Sequence, residues 1–441
     1  MLFALVILFA VFITMSIIAS QNIKDLKTFA STSINFVPLI CTMIATLIGG
    51  GSIMGTIETG FVNGITPLIG LLGFPLQFLL VAFIITPRRI NMLTLGDLFE
   101  GSYGKGMRIF VGLMVVFFNL SILTTVMHSL GFMLGAFTIP YAQIFISACL
   151  LFFIMCSCFG GIVSVIWFSV LQCVFMIIAL SLGLLLMIYY YESLGEFLAR
   201  IPTTHWQFSN KYSYIKILSM FIGVLLGNAL MPPMLQTINM AKSKEQAKAG
   251  YIIASLFIAF GIVFLIFCGM SMATLIDAKG GIFHNFLCII PLWLKIFIVT
   301  GLLTAMLSSL NTFLNVAVVA FVHDILKPLH IKMNDLKAAR IFTFIFGSIC
   351  IIITLFMESS LFGMKLFVYQ FWGPLFLAPL LGVYFKKTIS KKAFFINTFL
   401  TLLAMGLWHF SGLEKTTEIR DLVIGLAVNF VLYGIARTMK T

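Results

Sequence analysis

Long apolar stretches alternate with short polar connections along the chain, and thirteen of these stretches approach the length of a membrane-spanning helix. A bilayer core of about 30 Å requires about 20 residues in a helix. The stretches lie near residues 2–20, 35–59, 65–86, 109–136, 140–159, 161–190, 214–238, 250–275, 291–322, 338–357, 364–385, 392–411 and 421–437. The pattern predicts an all-α polytopic membrane protein with about 13 transmembrane helices.

The composition supports this prediction, because 61% of the residues are hydrophobic and only 9% are charged. Soluble proteins usually carry about 25% charged residues. The 8 cysteines lie mostly within apolar stretches, and no CxxC pair or Cys/His cluster occurs, so we interpret them as small core side chains. The first stretch lacks a basic leader and a small-residue cleavage site, which favours a retained span over a signal peptide.

The positions of the basic residues predict the orientation. If the N-terminus lies outside, the cytoplasmic connections hold 19 of the 27 Lys and Arg residues and the outer connections hold 8. This bias follows the positive-inside rule and explains the net charge of +13 without nucleic acid as a partner. We expect an integral protein of a bacterial inner membrane, in contact with the lipid bilayer, with its C-terminus in the cytoplasm.

Two of the apolar stretches contain helix-breaking residues at matched places. Residues 49–51 are three consecutive glycines, and residues 227–233 contain a Gly-Asn pair and two consecutive prolines. These residues weaken or end a regular helix. Because the interrupted stretches are five spans apart, the pattern predicts two five-helix inverted repeats, over 35–190 and 214–385, each opening with a broken helix. The alternative is that the glycines only permit close helix packing.

The rest of the chain flanks these repeats. Residues 1–34 are predicted to form an extra transmembrane helix and a cytoplasmic loop, 191–213 an outer loop, and 386–441 two extra transmembrane helices. Residues 94–108 are typical of a short interfacial helix on the cytoplasmic side. No connection is long enough for a separate soluble domain, which excludes a fused enzyme.

Polar side chains are concentrated within one long apolar stretch, at residues 301–316. They are Thr304, Ser308, Ser309, Asn311, Thr312 and Asn315. At about 100° per residue, Ala305, Ser308, Ser309 and Thr312 share one helical face. Hydroxyls and nearby carbonyls form a small oxygen-lined site that suits an alkali cation. The alternative is that the hydroxyls bond carbonyls of their own helix or pack against neighbouring helices.

Four segments together resemble the sodium:solute symporter family. They are IATLIGGGSIMGTIETGF at 44–61, TLGDLFEGSYGK at 94–105, the glycine pair at 160–161, and LLTAMLSSLNTFLN at 302–315 with HDILKP at 323–328. The resemblance covers nearly the whole chain. It implies the inverted-repeat fold of the leucine-transporter type, and sodium as the coupling ion. The glycine-rich segment is most similar to that of choline transporters, but Thr66 stands where those proteins are expected to have a tryptophan.

Carried over by position, the resemblance implies a sodium site between the first and eighth core helices. Its ligands would be the carbonyls of Ala45, Ile48 and Ala305 and the hydroxyls of Ser308 and Ser309. This set agrees with the polar face found in residues 301–316.

Three positions depart from the pattern of the family. Ser169 and Asn311 stand where many members have aspartates, and Gln236 stands where many have an arginine. The missing carboxylates favour one coupling ion over two. A weakly coupled or proton-using carrier stays open as an alternative.

The solute is expected near the bilayer midplane, beside the broken helices. Candidate lining residues are Ser52, Thr56, Gln77, Thr124, His128, Asn228, Tyr369 and Trp372, with Thr125 and Gln370 beside them. Each has an alternative role in packing. Trp372 is suited to a cation–π contact with an organic cation, while amino acid, vitamin and sugar solutes stay open. Glu58 lies just past the glycine-rich break, where an unpaired carboxylate needs a partner, water or a proton.

These features predict a secondary active transporter that couples sodium to a small organic solute by alternating access. One alternative is a proton-coupled or uncoupled carrier, in which Glu58 or His128 would titrate. Another is a non-transporting sensor, which the missing carboxylates alone favour. An enzyme is excluded, because the sequence lacks a convergent set of nucleophile, base and metal ligands. We expect no cofactor beyond the sodium ion.

Overall fold

The structure is a computed structural model, and it describes residues 2–21, 23–85, 92–135, 142–191, 193–208, 212–276, 282–356 and 371–439. Within these ranges the regular secondary structure is entirely helical. The predicted all-α class is therefore confirmed for the part of the chain that is described.

The helices are numbered here in chain order. They are α1 (Leu2–Gln21), α2 (Leu26–Ala30), α3 (Phe36–Leu47), α4 (Gly50–Asn63), α5 (Leu68–Leu71), α6 (Gly73–Leu80), α7 (Leu95–Tyr103), α8 (Lys105–Gly135), α9 (Ala142–Tyr191), α10 (Leu194–Arg200), α11 (Thr203–Trp206), α12 (Tyr214–Gly227), α13 (Pro232–Met240), α14 (Lys244–Met272), α15 (Ile282–Ile289), α16 (Leu292–Ala320), α17 (Asp335–Phe356), α18 (Trp372–Tyr384), α19 (Lys391–Phe410), α20 (Leu413–Thr417) and α21 (Asp421–Thr438). Single π-helical turns extend α6 through Ile85 and α16 through Leu326.

Among the described residues, 8 helices are long and apolar enough to cross a membrane, or 10 if each of two bent helix pairs is one span. The prediction of 13 is higher partly because α9 contains two predicted spans. They meet at Gly161, where φ is +46° and ψ is −141°. A Cβ atom there would lie 2.7 Å from Cδ2 of Phe29, so both the backbone angle and the space require glycine.

Two spans are broken at the predicted places. The axes of α3 and α4 differ by 57° across the break before Gly50, and those of α12 and α13 differ by 49° across the break before Pro232. The first break contains glycine, which weakens a helix, and the second is followed by two prolines, which begin a new one. The local sequence therefore explains both breaks.

Helix α16 is the centre of the bundle. In an apolar stretch of 18 residues within the span from Leu292 to Leu326, 94% of the residues are buried, whereas the corresponding stretch of every other long span is at most 50% buried. The helix packs against α3, α4, α8, α9 and α17. Polar side chains on α16 therefore face protein on every side, and the outer helices present apolar surface to lipid.

Two connections contain short helices. Helix α7 lies within the predicted interfacial segment 94–108 and begins after Thr94, whose hydroxyl accepts a hydrogen bond from the backbone N–H of Asp97 in a capping box. Helices α10 and α11 lie within the predicted outer loop at 191–213.

Helices α4 and α14 interlock through two glycines. A Cβ atom on Gly60 would lie 2.5 Å from the carbonyl oxygen of Ile266, and one on Gly269 would overlap the carbonyl of Ile57. Both obstacles are backbone atoms, which cannot rotate away. The two helices are therefore packed backbone to backbone and should move as one body.

We expect Gly60→Ala to lower the free energy of unfolding by about 1–3 kcal/mol, because the added methyl group overpacks this contact. Gly55→Ala is the matched control, because Gly55 lies on the same helix and a Cβ atom there would meet nothing within 4 Å. Thermal unfolding of the purified protein in detergent measures both. Equal stability of the two variants would contradict the packing described here.

Candidate functional site

The break between α3 and α4 exposes backbone oxygens inside the protein. Ile48 (φ −92°, ψ 88°) and Gly49 (φ −94°, ψ 169°) are both non-helical. The last carbonyls of a helix lack partners within it, and they carry the partial negative charge of the helix dipole. The carboxyl end of α3 is thus a source of oxygen ligands for a cation.

The polar face of α16 lies directly against this break. A Cβ atom on Gly49 would lie 2.5 Å from Oγ of Ser309, and one on Gly50 would lie 2.9 Å from the carbonyl oxygen of Leu302. The glycines are therefore needed for the close approach of the two helices. Ala45, Ile48 and Ala305 are buried beside it.

Ser308 and Ser309 face protein rather than lipid, with 0% and 4% of their surfaces exposed. Oγ of Ser309 donates to the carbonyl of Ala305 at 3.1 Å, and Oγ of Ser308 lies 3.1 Å from Oγ of Ser169 on α9. Ser309 therefore makes the hydrogen bond within its own helix that the alternative interpretation expects. A hydroxyl that donates to a carbonyl keeps its lone pairs for a cation, so this bond is compatible with a cation site.

Gln172 on α9 also reaches the break, and the sequence analysis missed it. Its Nε2 donates to the carbonyl oxygen of Ile48, and its Oε1 has no partner among the described atoms although the residue is fully buried. The amide holds the carbonyl of the unwound segment in place. The sequence signal was a glutamine inside an apolar span, one turn after Ser169.

The residue that replaces one of the expected aspartates makes a structural contact. Nδ2 of Asn311 donates to Oγ of Ser164 at 2.7 Å, and that hydroxyl donates to the carbonyl of Gly161 at 2.7 Å. Asn311 thus ties α16 to the kink in α9. Ser169, at the other position, is the one that contacts Ser308, so neither position supplies a carboxylate to the candidate cation site.

A neutral amide network lies towards the predicted cytoplasmic side. Nε2 of Gln236 on α13 donates to the carbonyl of Ala30 at 2.8 Å and to Oδ1 of Asn315 on α16 at 3.0 Å. Nδ2 of Asn315 donates to the carbonyl of Phe29 at 3.3 Å. The residue that replaces the expected arginine therefore joins α2, α13 and α16 without a charge.

An ion-pair cluster lies at the same end of the bundle. Arg108 on α8 contacts Asp97 at 3.0 Å and Glu100 at 2.7 Å on α7, and Asp324 at 3.1 Å on the π turn after α16. Oγ1 of Thr94 also donates to Asp324 at 2.6 Å. Arg108 thus balances carboxylates from two elements and fixes α7 against α8 and α16. The sequence predicted an interfacial helix and a family resemblance from these segments, but not this cluster.

The Asp97 carboxylate also contacts Nε2 of His323 at 3.1 Å. Burial raises the pKa of the Asp97 carboxyl, but the hydrogen bond from His323 and the charges of His323 and Arg108 outweigh burial. The pKa is therefore held below its usual range. Asp97 is thus an anion at neutral pH, as the ion pair with Arg108 requires.

Three of the candidate solute residues have buried polar atoms without partners among the described atoms. These atoms are Nε2 and Oε1 of Gln77, Oδ1 of Asn228, and Nε1 of Trp372. A Cβ atom on Gly373 would lie 2.5 Å from the carbonyl oxygen of Gly227, so Trp372 and Asn228 belong to adjoining segments at the break after α12. Unpartnered buried polar groups are rare and costly, and they mark places where a ligand or water supplies the missing bonds.

The remaining solute candidates lie in less distinctive surroundings. Ser52 is exposed and donates to the carbonyl of Gly49 at 2.7 Å, Thr56 is half-buried, and Thr124 donates to the carbonyl of Leu120 at 2.8 Å. His128 is half-buried, and a Cβ atom on Gly51 would lie 3.4 Å from Oγ of the adjacent Ser129. Glu58 is exposed. Tyr369 and Gln370 lie outside the described residues.

The model of the sodium:solute symporter family matches residues 28–397. The chain belongs to the sodium:solute symporter family. Membership of this family makes it a transport protein and not an enzyme, and the resemblance found in its sequence is confirmed. No curated protein matches the chain.

Solved structures of sodium-coupled and related transporters share the fold of this sodium:solute symporter. A Na+-coupled sialic acid symporter in a substrate-bound outward-open state has a TM-score of 0.86 at 17% identity, over 99% of this chain and 96% of that chain. MHP1, a nucleobase-cation-symport-1 family transporter with bromovinylhydantoin bound in a closed conformation, has 0.57 at 14% identity, over 93% of each chain. MhsT in complex with L-phenylalanine has 0.57 at 14%, over 93% of this chain and 98% of that chain.

Proposed function

We propose that this protein is a secondary active transporter that couples the inward movement of sodium to that of a small organic solute. The observation that carries the proposal is the contact between the broken α3–α4 span and the serine-bearing face of α16. It unites unwound backbone carbonyls with buried hydroxyls in the middle of the bundle. Membership of the sodium:solute symporter family supports the same function.

The proposed sodium ligands are the carbonyl oxygens of Ala45, Ile48 and Ala305 and the hydroxyl oxygens of Ser308 and Ser309. They are neutral, so the ion supplies the only formal charge within this set, and the carboxyl end of α3 offsets it through the helix dipole. Because the ligands come from α3 and the break that follows it on one side and from α16 on the other, a bound ion would hold the broken span against α16.

The proposed solute site lies beside the second break. Gln77, Asn228 and Trp372 bring amide and indole groups that need partners, which favours a solute with neutral hydrogen-bonding groups and an apolar face. Ser52, Thr56, Thr124, His128 and Tyr369 remain candidates for the rest of the lining.

In the proposed cycle the structure corresponds to a state that is closed on the cytoplasmic side. The support is the amide network around Gln236 and the ion pairs of Arg108. A cavity lined by Thr94 and Gln236 measures only about 40 Å³, which leaves room for a few water molecules. Sodium and solute would each raise the affinity for the other, because both stabilise this arrangement. We also propose that the protein has the two predicted inverted repeats, 13 spans and an N-terminus on the outer side of the membrane.

Sodium should stabilise the purified protein without any solute. A ligand that binds only the folded state at 100 times its Kd adds about 2.7 kcal/mol to the free energy of unfolding. We therefore expect the melting temperature in detergent to rise with added NaCl at constant ionic strength and pH. KCl and choline chloride at equal concentration are the controls. Equal melting temperatures in all three salts would reject sodium binding and leave the proton-coupled carrier as the better proposal.

A further inference from the structure

An apolar cavity of about 250 Å³ lies between α4, α9, α14, α15 and α16. Its walls include Ile57, Phe175, Phe264, Phe286 and Gly301. None of the proposed sodium or solute residues lines it. The cavity reaches Leu302 on α16, one helical turn before Ala305, so it is a separate space close to the proposed sodium site.

The walls of the cavity exclude water as a stable occupant. Every lining residue that the structure describes is apolar, glycine, or a sulfur-containing side chain such as Cys268. A buried water needs two to four polar partners, and an engineered apolar cavity of about 150 Å³ stays dry and binds benzene. A larger cavity of the same chemistry therefore suits a hydrocarbon.

The cavity adjoins the lipid-facing surface of the bundle. Its wall on α9 includes Ala179, which is exposed, and the preceding Ile177 and Ile178 are exposed as well. These residues belong to the membrane span at Leu150–Gly183. In an integral membrane protein, the surroundings of such a surface are the acyl chains of the bilayer.

We propose that an acyl chain of a membrane phospholipid enters past Ala179 and occupies this cavity. The chain is already in hydrocarbon, so its entry is driven by dispersion contacts with walls that an empty cavity would leave without partners. Helix α4 is interlocked with α14 through Gly60 and Gly269. The acyl chain would therefore lie between the α4–α14 pair on one side and α9 and α16 on the other. In that position the lipid would fill a gap in the packing of the protein.

Photocrosslinking tests this proposal directly. The protein is reconstituted in bilayers containing a phosphatidylcholine with a diazirine near the end of one acyl chain, and crosslinked peptides are mapped by mass spectrometry. We expect labelling of the recessed cavity wall on α14, at residues 264–268, in addition to the exposed helix faces. Gly301→Phe should lower the labelling of that wall by about tenfold, because the ring fills the space that the chain would take.

The matched control is Gly406→Phe on α19, where a Cβ atom meets nothing within 4 Å. It should leave the labelling of residues 264–268 unchanged. Ala179→Phe places a ring at the exposed entrance and should also reduce the labelling, so it carries the test if Gly301→Phe does not fold. Unchanged labelling in a folded Gly301→Phe or Ala179→Phe would overturn the proposal. Labelling of the wall by a free diazirine fatty acid but not by the phospholipid would also overturn it.

Discussion

Replacing Ser308 and Ser309 together by alanine is expected to lower the sodium affinity by at least about 100-fold. The double variant removes two of the five proposed ligands, and a hydrogen-bonding group that faces a charge contributes about 1.5–3 kcal/mol. Neither alanine adds volume, so the contact between α4 and α16 should remain. Equilibrium binding of ²²Na⁺ to the purified protein measures the loss, and the stabilisation by NaCl should disappear with it.

Thr300→Val on the same helix is the matched control for this experiment. Its hydroxyl donates to the carbonyl of Ile296 at 2.7 Å, as that of Ser309 does to Ala305, but it lies about one and a half turns before Ala305, the nearest proposed ligand. Sodium affinity should be unchanged in this variant. If the double serine variant binds sodium as the unaltered protein does, the proposed ligand set is wrong and Ser308 and Ser309 only pack α16 against its neighbours.

The spans and their breaks were predictable because their causes are local. Helix length follows from the bilayer, and consecutive glycines or prolines disturb a helix wherever they stand. The burial of the serine-bearing face of α16 was also predictable, because hydroxyls without hydrogen-bond partners are not expected to face lipid. In the structure, the glycines at the first break both interrupt the helix and permit close helix packing, which the sequence presented as alternatives. They unwind the span, and they let Oγ of Ser309 approach to a distance that any side chain would prevent.

The partners of these polar groups were not predictable, because they depend on pairing between distant segments. Gln172 is 124 residues from Ile48, and Arg108 is 216 residues from Asp324. Neither pair has a local pattern. From the sequence, the neutral residues at 169 and 311 favour one coupling ion over two, and the neutral residue at 236 departs from the pattern of the family. In the structure Ser169, Gln236 and Asn311 each make a hydrogen bond between helices, so all three neutral side chains hold the bundle together.

Replacing Arg108 by methionine is expected to cause the largest loss of stability, about 3–5 kcal/mol in the free energy of unfolding. The substitution keeps an apolar stem of similar length but leaves Asp324, which has no exposed surface, as a buried carboxylate whose one remaining hydrogen-bond donor among the described residues is the hydroxyl of Thr94. Arg200→Gln is the control. The exposed ion pair of Arg200 with Glu196 should contribute less than about 1 kcal/mol.

A double variant separates the buried charge from the packing of the arginine. Asp324→Asn keeps the shape of the side chain and removes its charge, so Arg108→Met with Asp324→Asn should be more stable than Arg108→Met alone. Unfolding of the four proteins in detergent at neutral pH gives the coupling free energy between the two residues. If the second substitution restores nothing, the loss in Arg108→Met comes from the arginine's contacts with Asp97 and Glu100 on α7, and the buried charge of Asp324 is not what makes Arg108 necessary.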